Sequence, residues 1–252
     1  MKDMSQIIVI KIGGNATNHL SEEFYQQLHK WREAGKQILI VHGGGPQISA
    51  WSEKLDLAVQ KIDGIRVTDQ QTLQVTQAVL LGLVQPALCQ HLMAHGLPVV
   101  GMNAMGQPVA YGEYLDQAVY GEVGKVTAIN QDYIQNQLQN GIGVCAPIAI
   151  SKSGQTLNVN GDVAAAAIAR LLEAEKLYLV TDVPGVMVNR HVLNKLTPQE
   201  ADQLLETQVI KAGMKPKIKA AFDALKHGVK EVEITNELQH SGTNLSVEQF
   251  AI

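Results

Sequence analysis

Aromatic residues are scarce in this chain, 4% of 252 residues, and a stacking platform for single-stranded nucleic acid needs several of them side by side. Cationic charge is not in excess either. With 20 Lys+Arg against 24 Asp+Glu the formal charge is −4, so nothing draws the chain as a whole to nucleic acid or to an anionic membrane surface. Any anion it holds must be held by locally placed groups. Only two cysteines occur, Cys89 and Cys145. Both lie in apolar surroundings without metal-site or redox spacing, which reads as two buried reduced thiols. No uninterrupted apolar run approaches the ~18 residues of a membrane span, and the apolar run that ends at Lys11 is too short for the core of a signal peptide. A soluble, cytoplasmic chain is expected, with no acidic cluster that reads as a dedicated metal cage.

What is present is a globular composition, 46% hydrophobic and 17% charged, on a chain long enough to bury a sizeable core as one large domain or as two lobes sharing a sheet. Short β-branched apolar runs alternate with longer amphipathic segments. That alternation predicts an α/β fold with a mainly parallel central sheet. Strands are expected over 7–12, 37–42, 98–101, 143–150, 177–181 and 231–234, and helices over 21–33, 47–54, 69–95, 130–140, 163–173, 198–207 and 218–227. Residues 107–126 break the rhythm and read as hairpins laid over the main sheet. If there are two lobes, the sequence divides near 173–176, giving 1–174 and 175–252.

Six segments carry residues suited to chemistry. The strand Ile7-Ile8-Val9-Ile10 delivers Lys11, then Gly13 and Gly14. A lysine in an apolar strand either reaches solvent at the strand end or meets a partner, and paired glycines let the backbone approach a ligand. A second strand runs into His42-Gly43-Gly44-Gly45-Pro46, so unpaired N–H groups at a helix start would face into a glycine loop, a site for phosphate or carboxylate. No Gly-Lys-Ser/Thr follows, so it is not a P-loop. His42 gets no role. Arg66, in Gly64-Ile65-Arg66-Val67-Thr68, precedes a helix start and offers a planar fork for a carboxylate, or else lies on the surface.

In Asn158-Val159-Asn160-Gly161-Asp162, alternation sets the two amides on one face, and Asp162 opens a small-residue helix either as a simple cap or as a functional group. Thr181-Asp182-Val183-Pro184-Gly185-Val186 is a tight turn after a strand, where open α/β sheets bind ligands. In Gly213-Met214-Lys215-Pro216-Lys217-Ile218-Lys219, Lys217 is placed to meet an anion from a helix start, while Lys215 and Lys219 read as a solvated basic face.

Taken together and in this order, these motifs resemble the amino acid kinase family over nearly the whole chain, from Ile7 to Gly242-Thr243. The resemblance implies an open αβα sandwich with a mainly parallel central sheet, its N-terminal lobe holding an acyl amino acid and its C-terminal lobe holding ATP. The arginine segment and the Asn-x-Asn-Gly-Asp run are similar to members that transfer the γ-phosphoryl group of ATP to the side-chain carboxylate of N-acetyl-L-glutamate, in arginine biosynthesis. Carried onto this chain, the resemblance makes Lys11 and Lys217 the groups that stabilise the transferring phosphoryl, with Asp162 holding them. It gives Gly44, Gly45, Arg66, Asn158 and Asn160 to the acyl amino acid. It gives Gly13, Gly14, Thr181, Asp182, Val183, Pro184, Gly185, Val186, Met187, Val209, Ile210 and Lys211 to the nucleotide. Magnesium would ride on the ATP phosphates and water.

The chemistry suits the residue set. A carboxylate nucleophile is already ionised at neutral pH and requires no general base, and phosphoryl transfer is chiefly positioning and charge stabilisation. Two features depart from the pattern: Ala212 stands where glycine or an acid is common, and Lys215 where an apolar residue is usual. Only ten residues precede Lys11, so the N-terminal helix that interlaces some members into hexamers is not expected, and a homodimer is. The competing expectations are a relative acting on a carrier-linked aminoadipate or glutamate, and a non-catalytic amino-acid sensor of the same fold.

Overall fold

The structure, a computed structural model, describes residues 6–14, 17, 20–103, 107–210 and 214–247. In chain order it runs β1 (Ile7–Ile12), α1 (Glu22–Glu33), β2 (Gln37–His42), α2 (Gly45–Lys54), β3 (Lys61–Ile62), β4 (Ile65–Arg66), α3 (Gln70–Val79), α4 (Gln85–Ala94), β5 (Val99–Gly101), β6 (Ala110–Tyr114), α5 (Gln117–Tyr120), β7 (Val123–Ile129), α6 (Gln131–Asn140), β8 (Ile142–Cys145), β9 (Ile148–Ser151), β10 (Thr156–Val159) and α7 (Gly161–Leu171). There follow β11 (Lys176–Val180), β12 (Met187–Val188), β13 (His191–Val192), β14 (Lys195–Leu196), α8 (Pro198–Glu206), α9 (Lys215–Lys226), β15 (Glu231–Thr235) and β16 (Thr243–Leu245).

The main sheet has the order β14-β16-β15-β11-β1-β2-β8-β5. It is parallel from β15 to β5, and β16 pairs antiparallel with β15. The chain moves outward from β1 toward β2 and returns on the other side through β11, so the strand order reverses at β1, and the crevice at the carboxyl ends of β1, β2 and β11 is where an open sheet binds its ligand. Both faces of β1 are covered, which explains its uninterrupted burial. Period-two alternation then sorts its residues. Ile8, Ile10 and Ile12 join a core with Phe24 and Leu28 of α1 and Leu88 and Leu92 of α4. Ile7 and Val9 join the opposite core with the alanines of α7 and with Ile218 and Ala221 of α9. Lys11 follows Val9 on that second face, and so it points at the start of α7.

The segment 107–126 forms the start of a second, smaller sheet. Here β6 and β7 pair antiparallel around the short α5, and β9 and β10 close the sheet in the order β10-β7-β6-β9. The single strand expected over 143–150 is two strands, β8 in the main sheet and β9 in the second. Pro147 separates them because it has no N–H to give to a ladder. Its neighbour Ala146 instead donates to Asn103 Oδ1 at 2.6 Å.

The helix expected over 69–95 spans Gln70–Ala94, but Leu80–Val84 between α3 and α4 is a π turn. Pro86 cannot donate to Gly82, and the wider turn carries Gln85 N–H back to Leu80 O. By length and composition this helix could cross a bilayer. It instead buries Leu73, Val79, Leu80, Val84, Leu88 and Leu92 inside the protein.

α7 is packed tightly because it carries five small buried residues, Ala164 to Ala167 and Ala169. Ala165 is fully buried. We expect Ala165→Leu to overpack this contact and to lower unfolding stability by roughly 1–3 kcal/mol in urea titrations, with an unchanged midpoint counting against such close packing.

Candidate active site

Three elements bring their charges to one point. Lys11 Nζ reaches from the end of β1 to Asp162 Oδ1 at 2.8 Å, and Lys217 Nζ reaches from the first turn of α9 to the same oxygen at 2.9 Å. All three side chains are largely buried, with 10%, 15% and 9% of the Lys11, Asp162 and Lys217 side chains exposed. Asp162 is not the helix cap. That task falls to Asn160, whose Oδ1 accepts from the backbone N–H groups of Asp162 (3.0 Å) and Val163 (3.3 Å). With the helix start satisfied by Asn160, the Asp162 carboxylate is free to take the lysines.

Burial alone would raise the Asp162 pKa, but the charges and hydrogen bonds of Lys11 and Lys217 outweigh it and hold the carboxyl at about 2, below its ordinary 3.8. Lys217 is shifted down, by burial first and by the nearby Lys11 charge next, with Asp162 opposing both. Of the three lysines near the start of α9, only Lys217 turns inward, and Lys215 and Lys219 are exposed.

A cavity of about 250 Å³ opens in front of this cluster. It is lined by Lys11, Gly14, Gly43, Gly44, Gly45 and Pro46 from the carboxyl ends of β1 and β2, by Lys61, Gly64, Ile65 and Arg66 from the β3–β4 hairpin, and by Asn158, Asn160, Gly161 and Asp162 from β10 and α7. The glycine loop leads into α2, with Pro46 in its first turn and no side-chain cap, so the helix presents backbone N–H groups and the positive end of its dipole at this opening. Glycine at 44 also serves packing. A Cβ there would lie 2.6 Å from Leu80 Cδ2 in the π turn, so the buried Leu80 side chain would have to shift.

Arg66 is buried on the cavity wall, where Nη2 donates to Gly45 O at 3.0 Å and to Ser49 Oγ at 2.8 Å. Its Nη1 is buried without a protein partner. An arginine held on one edge of its fork and unpaired on another is set up to receive a planar anion. Burial lowers its pKa.

The residues given to an acyl amino acid, Gly44, Gly45, Arg66, Asn158 and Asn160, therefore meet around one cavity, together with Lys11 and Asp162, and Lys217 stands behind them. Of the residues given to a nucleotide, Gly14 lines this cavity and Gly13 adjoins it, its N–H donating to Val180 O at 3.2 Å. Thr181, Asp182, Val183, Pro184, Gly185, Val186 and Met187 follow β11 at the same end of the sheet, outside the cavity lining. Buried Thr243 of β16 pins this turn, accepting from Val186 N–H at 2.8 Å. Val209 is exposed and Ile210 buried beyond α8, and Lys211, with Ala212 and Gly213, lies outside the described residues.

Sequence reasoning missed Lys61, which lines the cavity on β3 directly across from Arg66. The signal was present: Asp-Gly between two isoleucines, Ile62 and Ile65, marks a tight hairpin turn, and Asp63 and Gly64 both have positive φ, 51° and 80°. His42, left without a role, is fully buried and lies 3.5 Å from Gln85 Oε1, and burial lowers its pKa.

An open sheet with its ligand crevice at the strand reversal, a glycine loop at a helix start and converging cations define a protein built to hold anions side by side, as phosphoryl transfer demands. The sequence profile of the amino acid kinase family matches residues 6–236, and the chain belongs to that family. Two relatives named acetylglutamate kinase are similar to it throughout. One from Lactiplantibacillus plantarum is 47% identical over 99% of this chain and 100% of its own length. One from Leuconostoc mesenteroides is 44% identical over 95% of this chain and 99% of its own. The solved structure of smu.665 from Streptococcus mutans superposes with a TM-score of 0.91 at 40% identity, covering 96% of this chain and 99% of that one.

Replacing Asp162 by Asn leaves two buried lysines with no countercharge, and we expect a loss of roughly 3 kcal/mol of stability at pH 7. Because the folded-state pKa is depressed, to about 2 from 3.8, that contribution is complete above the unfolded value and disappears as pH falls through the folded one. The stability gap between wild type and Asp162→Asn, measured by urea unfolding, should narrow from pH 4 toward pH 2. A gap that stays constant would show that the carboxylate charge is not what holds the cluster.

Proposed function

We propose that the protein transfers the γ-phosphoryl group of ATP to the side-chain carboxylate of N-acetyl-L-glutamate, giving N-acetyl-L-glutamyl 5-phosphate for arginine biosynthesis. The observation that carries this reading is the buried Arg66 fork, unpaired at Nη1, facing the same cavity as the Lys11–Asp162–Lys217 cluster. Full-length relatives named for this activity support it.

In this reading Arg66 and Asn158 hold the α-carboxylate end of the acyl amino acid, and the backbone of Gly44 and Gly45 faces the reacting end. A carboxylate oxygen forms its bond to the γ-phosphorus as the bond from that phosphorus to the β-bridging oxygen breaks, and the electron pair leaves with ADP. Two unit charges ~4 Å apart repel by roughly 4 kcal/mol at an effective dielectric near 20, so bringing carboxylate and triphosphate together requires cations already in place. Lys11 and Lys217 supply them, and Asp162 keeps both from drifting apart when the site holds no substrate. A binding-only sensor would have no use for that cluster.

The nucleotide lies across the 175–252 part, against Gly13, Gly14 and the Thr181–Met187 turn, and the acyl amino acid lies in the 1–174 part. Magnesium fits as a companion of the ATP phosphates and water: among the described residues no group of three or more His, Cys, Asp or Glu could hold a metal, and Asp162 Oδ1 is taken by two lysines. When bound, the metal neutralises phosphate charge. We further assign the protein to the cytoplasm as a homodimer. The outer strand β5 ends the main sheet beside α4, where Met93 is exposed.

Purified protein with Mg-ATP and N-acetyl-L-glutamate should form an acyl phosphate trapped by hydroxylamine as a hydroxamate. No product at millimolar substrate, with ATP turnover on other acidic amino acids, would overturn the substrate assignment. Arg66→Lys, which keeps the charge but removes the fork, should raise KM for N-acetyl-L-glutamate by about tenfold or more while KM for ATP stays put. An unchanged acyl amino acid KM would take Arg66 out of that subsite.

A further inference from the structure

Thr68 is fully buried just beyond β4, and its hydroxyl sits between two of the residues that face the cavity. The hydroxyl donates its one proton to Arg66 O at 2.9 Å and accepts from Asn158 Nδ2 at 3.0 Å. Arg66 belongs to the β3–β4 hairpin and Asn158 to β10 of the second sheet, and Asn158 lies 90 positions after Thr68 in the chain. The backbone of Thr68 is fixed separately. Its N–H donates to Tyr120 O at 2.9 Å, and its carbonyl accepts from Glu122 N–H at 2.6 Å.

This division of labour has a consequence for Asn158. Because the Thr68 proton is committed to Arg66 O, the group that Asn158 turns toward Thr68 has to be its NH2 and not its carbonyl oxygen. The hydroxyl thereby selects one of the two amide orientations and sets which hydrogen-bonding groups Asn158 offers to the cavity it lines. The same hydroxyl holds the strand that carries Arg66. We infer that Thr68 is a positioning residue for acyl amino acid recognition, coupling the hairpin that bears Arg66 to the orientation of the Asn158 amide, so that the two contacts to one ligand act as a unit. This rests on the function proposed above for the identity of the ligand, but not for the coupling itself.

The test replaces Thr68 by Val, which keeps shape and removes the hydroxyl, and by Ser, which keeps the hydroxyl and removes the methyl. The separate backbone anchors to residues 120 and 122 should keep Thr68→Val folded. In the hydroxamate assay Thr68→Val should raise KM for N-acetyl-L-glutamate by about tenfold, with kcat and KM for ATP within about twofold of wild type. Thr68→Ser should return the KM to within about threefold of wild type. An unchanged KM in Thr68→Val, equal changes in both substrates' KM, or Thr68→Ser as impaired as Thr68→Val would each overturn the inference, the last by assigning the effect to the methyl group.

The coupling also has a readout without substrate. The Asn158 side-chain NH2, observed by 15N NMR and assigned by its loss in Asn158→Asp, should show one slowly exchanging proton in wild type and Thr68→Ser that becomes fast in Thr68→Val. If wild type forms no hydroxamate, the proposed function fails while this signal still decides the coupling. An Asn158 signal indifferent to Thr68→Val would end it.

Discussion

Asp162 Oδ1 takes two ammonium groups from two different elements, one at the end of the central strand β1 and one in the first turn of α9, and the arrangement of the site depends on that shared oxygen. Two buried lysines this close would repel each other strongly in a medium that screens poorly. One carboxylate between them converts the repulsion into two charge-assisted hydrogen bonds and leaves the trio with a net positive charge. The fold supplies the means. Alternation along β1 sends Lys11 to the α7 face, Asn160 relieves Asp162 of capping duty, and Pro216 near the start of α9 allows that helix to begin early enough to bring Lys217 inward.

Much of this was legible in the chain because the signals were local. The runs at 7–12 and 37–42 are dominated by β-branched and leucine residues, broken only by Lys11 and bounded by Gln37 and His42, and the structure forms strands with those limits. Thr197 and Glu200, three residues apart at the start of α8, form a complete capping box, a pattern that is local in the chain. What could not be read was decided by contacts distant in sequence. Whether Asp162 or Asn160 caps α7 depends on two lysines, one 55 residues away from Asp162, that compete for the Asp162 carboxylate. The division of residues 143–150 between two sheets depends on Pro147 meeting the edge of one sheet as the other begins, and a β-branched apolar run does not announce that. The π turn follows from Pro86, which was visible, but its use as packing for Gly44 was not.

The cavity and the turn after β11 also differ in how far side chains specify them. Around the cavity, the sequence supplies charged and amide side chains whose types announce their chemistry. The turn after β11 is held by backbone geometry, with Val186 N–H on a threonine from β16 that no local pattern connects to it. A turn held by backbone leaves little in its side chains to find: its place at a strand end marked 181–186 as a ligand position, and the expectation of a nucleotide at 181–187 came from the family resemblance.

The net charge of −4 and a cavity walled by Lys11, Lys61 and Arg66 against a single carboxylate are compatible because they act over different distances. At physiological ionic strength screening sets in within about 8 Å, so acidic groups elsewhere on the surface scarcely weaken cations that line the cavity. The same screening limits how far the cavity can draw anions in from solution. Discrimination among anions then has to come from shape and hydrogen-bond direction inside the cavity. A guanidinium fixed at Gly45 O and Ser49 Oγ and an amide fixed by Thr68 supply direction, whereas the lysines, as point charges, supply strength without it. Under the proposed function, the side of the site that chooses a substrate is accordingly the side built with planar groups, and the side that meets developing phosphoryl charge is built with ammonium groups.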